Sequence, residues 1–438
     1  MAVDDGLHQR LDSRLRARLV PVPDTLQALG ALARGVRRKA GAKVIAITGS
    51  AGKTSTKDLV AALAGQVCRV VATAANQNNE IGVPLTLLSI EPTTEVVVVE
   101  MGMRGRGQIA ALTQMAEPDV GVITNVYPVH LELLGSLEAI AEAKAELMVG
   151  LESSCRTAVP AGSQALAPHV ERARCGVVTF AFEGSAPPEG SGLLGQSGSP
   201  ERREGPKGRA AVWGRALERL GTQGVRLQLG WPEAEAEIEV PFVSGHRLEN
   251  AVAAVAACYA AGLPVEDCLP GLRSVVFTAG RGDVMGAGDW LLVNDTYNAN
   301  PAAVQAAIDD LVDAAAARGR RPVAVLGDML ELGPDEARYH RECGAYAAEA
   351  GVQALWGVGR LSTETVAGFR AAAQAGQTAG HVESVQQVAP VLADLRPGDL
   401  VLFKASRSVG LEAMVTALQR AVADDATGAS PGTRGVAE

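Results

Sequence analysis

Seven consecutive residues, Thr48-Gly49-Ser50-Ala51-Gly52-Lys53-Thr54, set two glycines, a lysine and hydroxyls at a spacing suited to phosphate chemistry. The preceding run Lys43–Thr48 (KVIAIT) is short, apolar and β-branched, and Lys53–Ala64 reads as a helix. The segment therefore lies at a strand–turn–helix junction. Backbone N–H groups of such a turn (Gly49, Ser50, Ala51, Gly52 and, one turn on, Ser55) converge with the helix N-terminus and stabilise an anion. Lys53 would reach the outer phosphates of a nucleotide, and the Thr54 hydroxyl would ligate Mg2+. Only two residues separate the glycines, fewer than in the general G-x-x-x-x-G-K-[ST] pattern. The competing reading is a glycine turn that happens to precede Lys-Thr.

A phosphate loop defines a nucleotide, not a reaction. Glu100 closes the run Glu95–Glu100 (EVVVVE), at the strand edge where open α/β sheets bind ligands. A carboxylate there can hold a second magnesium, because Mg2+ takes a few hard oxygen ligands; alternatively it is a solvated strand-end glutamate. His130 follows the strand-like run Val120–Val126 and is as readily a hydrogen-bonded structural histidine as a ligand. Lys144, in the helix-like EAKAEL, reads on residue type alone as a solvated lysine.

Positioning these residues requires alternating strands and helices. Asp24 is placed to cap a helix through Lys39, with Leu26, Leu29, Leu32 and Val36 at helical spacing. Helices are expected at Gly107–Met115 and Ser136–Val149, which with the strands above give a mostly parallel sheet flanked by helices, an α/β fold. Gly224–Val240 alternates like antiparallel strands, and Asn250–Ala261 is an alanine-rich helix. A second, Rossmann-like α/β series has strands at Trp290–Asn294, Pro322–Leu326, Ala354–Val358 and Leu400–Lys404. Its helices fall at Pro301–Ala317, Asp335–Ala350, Val385–Leu395 and Leu411–Ala423. The expected organisation is an N-terminal remnant (1–21), a central nucleotide-binding domain (22–280) with a flexible Gly/Pro/Ser-rich insertion (183–208), a C-terminal domain (281–423) and a disordered tail (424–438).

At 438 residues the chain suits two or three domains, and 47% hydrophobic with 20% charged residues excludes wholesale disorder. A net charge of -9 argues against nucleic-acid binding as the main task. The six cysteines form no C-x-x-C pair, which speaks against a zinc ribbon and for reduced, buried thiols. The first residues carry no apolar leader and no run approaches a membrane span, so a cytoplasmic protein without membrane insertion is expected.

The segments ITGSAGKTSTK, NQNNEIGVPLTLL (76–88), EMGMRGRGQIA (100–110), TNVYPVHLELLGSLEAIAEAKAEL (124–147), NDTYNANP (294–301), GDMLELG (327–333) and KASR (404–407) resemble the Mur ligases. Within that family they look most like the branch that adds D-alanyl-D-alanine. The resemblance spans about Val22 to Ala423 and implies a P-loop central ATPase domain followed by a Rossmann-like ligase domain. It implies ATP and Mg2+ as cofactors, a UDP-muramoyl tripeptide and D-Ala-D-Ala as substrates, and action as a monomer. By position, Lys53, His130 and Lys144 become catalytic, Thr54, Glu100 and His130 metal-binding, and Lys144 the site of a carbamylated lysine. His246 and Asn250 would approach the adenine, with Arg281, Asp295, Tyr297 and Asn298 closing on the nucleotide. Asn76, Asn78, Asn79, Asn300, Lys404, Ser406 and Arg407 would face the substrates. Two positions depart from the family pattern: Arg247 stands where asparagine is usual, and Ala405 replaces glycine. Since 48 residues precede Gly49, the family's N-terminal UDP-binding domain is expected to be absent, lost to a start position set too far downstream, or supplied by a partner. Two alternatives stay open: a paralogue acting on another carboxylate, and a non-catalytic nucleotide-binding partner of a full-length ligase.

Overall fold

The computed structural model describes residues 2–4, 12, 14, 18–128, 131–183, 210–220, 224–242 and 244–427. His130 and the insertion between 184 and 209 lie outside the described residues. The chain forms two compact units. Apart from Leu131 and Glu132, the first runs to Thr278 and the second begins at Ala279.

In the first unit, helix α1 (Thr25–Ala40) leads into strand β1 (Lys43–Thr48) and helix α2 (Lys53–Ala64). Then come β2 (Val70–Ala72), α3 (Gly82–Leu88), β3 (Val96–Glu100), α4 (Gln108–Ala116), β4 (Val120–Ile123) and α5 (Leu137–Val149). Strands β5 (Arg156–Pro160), β6 (Gly176–Glu183), β7 (Val212–Arg219), β8 (Val225–Trp231) and β9 (Ala234–Val240) precede α6 (Gly245–Ala260). The nine strands are ordered β9-β8-β7-β6-β5-β4-β1-β3-β2. Pairing is parallel from β2 through β7, and only the β8–β9 and β7–β8 pairs are antiparallel. The alternation read between Gly224 and Val240 is thus a hairpin on the sheet edge.

Continuous apolar strands need cover on both faces. Ile45, Ile47, Val98 and Val122 join Leu59 and Leu63 of α2 and Val252 and Ala256 of α6 in one core. α6 is buried nearly all round, and its alanines let it lie close to both the sheet and α2. α1 behaves differently from its sequence pattern. Asp24 caps it as expected, accepting from Leu26 N at 2.8 Å and Gln27 N at 2.9 Å. Its buried face, however, is centred on Gly30 and Ala33, against Met115 of α4, while Leu26 and Leu32 face solvent. Small residues allow the close approach, so the leucine spacing marks the wrong stripe.

The second unit contains β10 (Asp283–Ala287), β11 (Trp290–Asp295), α7 (Pro301–Arg318), β12 (Pro322–Gly327), α8 (Glu336–Ala350) and β13 (Ala354–Val358). It continues with α9 (Ser362–Ala372), β14 (Thr378–Val382), α10 (Val388–Asp394), β15 (Leu400–Lys404) and α11 (Glu412–Thr427). Strand order is β10-β11-β15-β12-β13-β14, parallel except for the β10–β11 hairpin. Period-two alternation splits β12 and β15 between two cores. Ala324, Leu326, Leu400 and Leu402 face one side with Ile308 and Phe369; Val323, Val325, Val401 and Phe403 face the other with Met414 and Leu418. α11 runs to Thr427, past the helix end expected at Ala423. All six cysteines are free thiols, four of them buried. No helix among the described residues is long and apolar enough to cross a membrane.

Candidate active site

The turn between β1 and α2 is built for close approach. Gly52 adopts φ 76°, where a side chain is strained, and a Cβ there would lie 2.3 Å from Asn250 Oδ1. A Cβ on Gly49 would lie 1.8 Å from Thr124 Oγ1. The end of β4 grips the turn from the side. Asn125 accepts from Ser50 N at its carbonyl (3.1 Å) and from Ala51 N at Oδ1 (2.8 Å). Thr124 Oγ1 donates to Ala51 O at 2.6 Å, and Ser50 Oγ donates to Tyr127 O at 3.0 Å while accepting Tyr127 N at 2.8 Å. Two of the N–H groups assigned from sequence to an anion, those of Ser50 and Ala51, therefore hold the loop's shape instead. Among the described residues α2 carries no side-chain cap, so the positive end of its dipole faces the turn.

Beneath this turn lies a buried polar constellation. Thr54 Oγ1 donates to Glu100 Oε2 at 2.7 Å, and Asn78 Nδ2 donates to Glu100 Oε1 at 2.8 Å. Thr54 and Glu100 are each 1% exposed. The Glu100 N–H is bound by Thr73 Oγ1 at 3.0 Å, which fixes the strand end. Lys53 Nζ donates to Gly49 O at 2.9 Å, so its charge sits over the turn. Lys144 of α5 is fully buried, and burial first, then the Lys53 charge, push its pKa well below the usual lysine range. Among the described residues no group hydrogen-bonds its amine. Glu146, two residues on, accepts from Gly107 N (2.6 Å) and Ala110 N (2.9 Å), which anchors the Lys144 helix to the start of α4. The solvated reading of Lys144 is thereby corrected: an alanine-rich helix buries it against the sheet.

The other first-unit residues are more dispersed. Asn250 lies 8% exposed against Gly52, one turn along α6 from His246, which is half-buried with Glu249 Oε2 3.7 Å from Nδ1. Asn79 Oδ1 accepts from Gly82 N (3.0 Å) and Ile81 N (3.2 Å), so it starts α3, and Asn76 is exposed in the same loop.

In the second unit, Asp295 and Lys404 face each other in register at the ends of β11 and β15. Lys404, 4% exposed, donates to Asp295 Oδ2 and to Asn298 O (3.0 Å). Asn298 Oδ1 accepts from Ala299 N at 2.9 Å. Ser406 Oγ accepts from Leu330 N at 2.9 Å, and Ser406 N donates to Asp328 O at 3.0 Å. Asn300 caps α7 by accepting Ala303 N at 2.9 Å, with Pro301 at the first helical position. Tyr297 carries the Arg281 guanidinium 3.8 Å from its ring centre and that of Arg407 at 5.8 Å. Sequence reasoning missed Thr73, Thr124 and Asn125. The position of Thr124 and Asn125 just past a strand beside β1 was the available signal.

A Mur ligase middle domain matches residues 47–258, and a Mur ligase, glutamate ligase domain matches residues 280–407. The two matched segments are those of a Mur ligase. The UDP-N-acetylmuramoyl-tripeptide–D-alanyl-D-alanine ligase of Bacillus subtilis (strain 168) is 33% identical over 398 residues, covering 91% of this chain and 80% of the relative. The ligase of the same name from Synechocystis sp. is 36% identical over 400 residues, covering 91% and 79%. Among solved structures, MurF from Acinetobacter baumannii superposes with a TM-score of 0.78 at 28% identity, covering 92% of this chain and 82% of that one. The chain belongs to the Mur ligases, in the UDP-N-acetylmuramoyl-tripeptide–D-alanyl-D-alanine ligase family.

Proposed function

We propose that this chain joins D-Ala-D-Ala to a UDP-muramoyl tripeptide, a step of peptidoglycan precursor synthesis, through an acyl phosphate made at the β1–α2 turn. The buried Thr54–Glu100–Asn78 constellation, with Lys53 and Lys144 beside it, carries this reading. The ATP phosphates would lie on the first-turn N–H groups of α2, with Lys53 on the outer phosphates. The donor set suits Mg2+: a hydroxyl and a carboxylate are hard oxygens, and Mg2+ binds through one or two carboxylates plus substrate phosphates. Bound to Thr54 and Glu100, with His130 a further candidate ligand, Mg2+ would neutralise charge developing on the transferring phosphoryl group.

The tripeptide carboxylate oxygen attacks the γ-phosphorus and ADP leaves. The dipeptide amine then attacks the acyl carbon, a proton leaves nitrogen, and inorganic phosphate departs as the amide forms. Lys53 and the α2 N-terminus stabilise the negative charge in the first step. Burial favours the neutral amine of Lys144, which would attack CO2 and lose a proton to give a carbamate, adding a carboxylate to the same site. Asn250 lies against the turn, while His246 would approach the adenine. From the second unit, half-buried Tyr297, with Arg281 and the exposed Arg407 near its ring, would offer the recognition surface. Asp295, Lys404, Asn298, Ser406 and Asn300 hold the loops that present it. Asn78 acts by orienting Glu100, and Asn79 by setting α3; Asn76 remains available to the tripeptide. We place this activity in the cytoplasm, with the chain acting as a monomer.

The test is to incubate the chain with Mg-ATP, UDP-muramoyl tripeptide and D-Ala-D-Ala, measuring phosphate release and product mass together. Equimolar pentapeptide and phosphate are expected, with neither from Lys53→Ala. Tight ATP binding without product would overturn the assignment.

A further inference from the structure

One buried ion pair takes no part in the phosphate chemistry above. Lys57 and Asp58, adjacent on α2, pair at 2.7 Å with side chains 5% and 9% exposed. Both reach Thr278. Asp58 accepts from Thr278 N at 2.8 Å and Thr278 Oγ1 at 3.2 Å, and Lys57 Nζ donates to the same hydroxyl at 3.4 Å. Lys57 also donates to Thr73 O at 3.0 Å, the residue whose hydroxyl binds the Glu100 N–H. Thr278 is the last residue of the first unit. Within the second unit, Gly280 is also fixed: its N–H donates to Asp283 Oδ2 at 2.6 Å and its carbonyl accepts Tyr297 N at 3.1 Å. Between these two anchored residues, Ala279 is exposed, and among the described residues neither of its backbone groups is hydrogen-bonded.

We propose that Lys57 and Asp58 are positioning residues that clamp the linker at Thr278, so that swing between the units is confined to the torsions flanking Ala279. Apolar side chains of similar volume would fill the space under α2 at least as stably, so a charged pair satisfied by backbone and hydroxyl partners serves position. The clamp grows from α2 and from Thr73, the elements that set Thr54 and Glu100. Movement of the second unit is thereby referred to the phosphate site rather than to a loose loop. This rests on the ligase reading, because an acyl phosphate must be shielded from water, and closure about a defined pivot achieves that.

The experiment combines hydrogen exchange resolved to single amides with kinetics of the full chain. In the wild-type chain the Thr278 amide should be protected and the Ala279 amide should exchange freely. Thr278→Val removes the shared hydroxyl without stranding a charge and should lower kcat for ligation about fivefold. Thr278→Ser should restore it to within twofold. The double variant Lys57→Met/Asp58→Asn removes the ion pair while keeping its shape; it should lower kcat about tenfold and speed exchange at Thr278. The Kd for Mg-ADP should stay within twofold throughout. Equal exchange at Thr278 and Ala279 in the wild-type chain would overturn the clamp. So would an unchanged kcat in both variants, or a loss of ADP affinity in step with kcat. If the wild-type chain binds ADP but makes no pentapeptide, the ligase reading fails, and the exchange pattern alone still decides the clamp.

Discussion

The C-terminal ends of the two parallel sheets use similar residue types in opposite ways. At the head of the first sheet, Glu100, Thr54 and Lys53 converge on the uncapped N-terminus of α2, and Lys144 is buried beside a second lysine. Charge there is arranged for something to be bound. At the head of the second sheet, Lys404 is satisfied by Asp295 and a carbonyl, and Ser406 and Asn300 by neighbouring N–H groups. Charge there holds loops, and half-buried Tyr297 carries the guanidinium groups of half-buried Arg281 and exposed Arg407 near its ring. Strand-end polar residues are therefore not equivalent: those of the second sheet hold loops, whereas those of the first gather around the start of a helix that has no side-chain cap.

This contrast can be broken at several points. The largest effect is expected at Lys144. Lys144→Met should lower kcat by about 10^2–10^3, the scale of losing a charge stabiliser in a closed site. Its melting temperature should not fall, because an apolar side chain replaces a buried amine that the fold disfavours in charged form. A parallel loss of stability would make Lys144 structural.

Next in size is Lys404→Met, which leaves Asp295 without its partner and should cost roughly 2–4 kcal/mol in denaturant unfolding. Adding Asp295→Asn should recover more than half. If Lys404→Met is neutral in stability but abolishes activity, the residue belongs to the binding machinery.

A smaller effect concerns pH. His340 is buried in the second unit; Nε2 accepts from Met329 N at 2.9 Å, and Nδ1–H donates to Glu336 O at 2.7 Å. Burial lowers its pKa below the usual histidine value. The unfolded chain therefore binds the proton more readily, and stability should decline as pH falls below about 6.5, levelling only beneath the folded pKa. His340→Gln should flatten that slope in urea titrations between pH 7 and 5. An unchanged slope would assign the effect to other groups.

The smallest effect is the cap. Asn300→Ala should cost about 1 kcal/mol of stability with little change in ADP affinity, measured by denaturation and calorimetry.

How much of this was legible in the sequence follows the same contrast. β1 and α2 were readable to the residue because a β-branched run, a glycine turn and a helix agree locally, and the β13 and β15 strands stood out for the same reason. α9 and the short strands β2 and β14 carry no strong period of their own and are held by neighbours, so they were not seen. At the site, the identities of Thr54 and Glu100 were readable, but their contact was not. It depends on β3 pairing with β1, which brings together two side chains 46 positions apart. Lys144 was misread on residue type because burial is a tertiary property. Asn300 could have been read differently from the outset, since Asn-Pro before a helical stretch is a capping signal as much as a substrate contact.

The most direct test of the central claim is the Mg2+ dependence of coupled ATP cleavage and ligation in Glu100→Gln. The substitution keeps an acceptor for Thr54 but removes the carboxylate charge. The expected result is a rise of at least tenfold in the Mg2+ concentration giving half-maximal rate, with an unchanged melting temperature. An unchanged Mg2+ requirement in a folded, active variant would contradict the placement of the phosphate and metal site at Thr54 and Glu100.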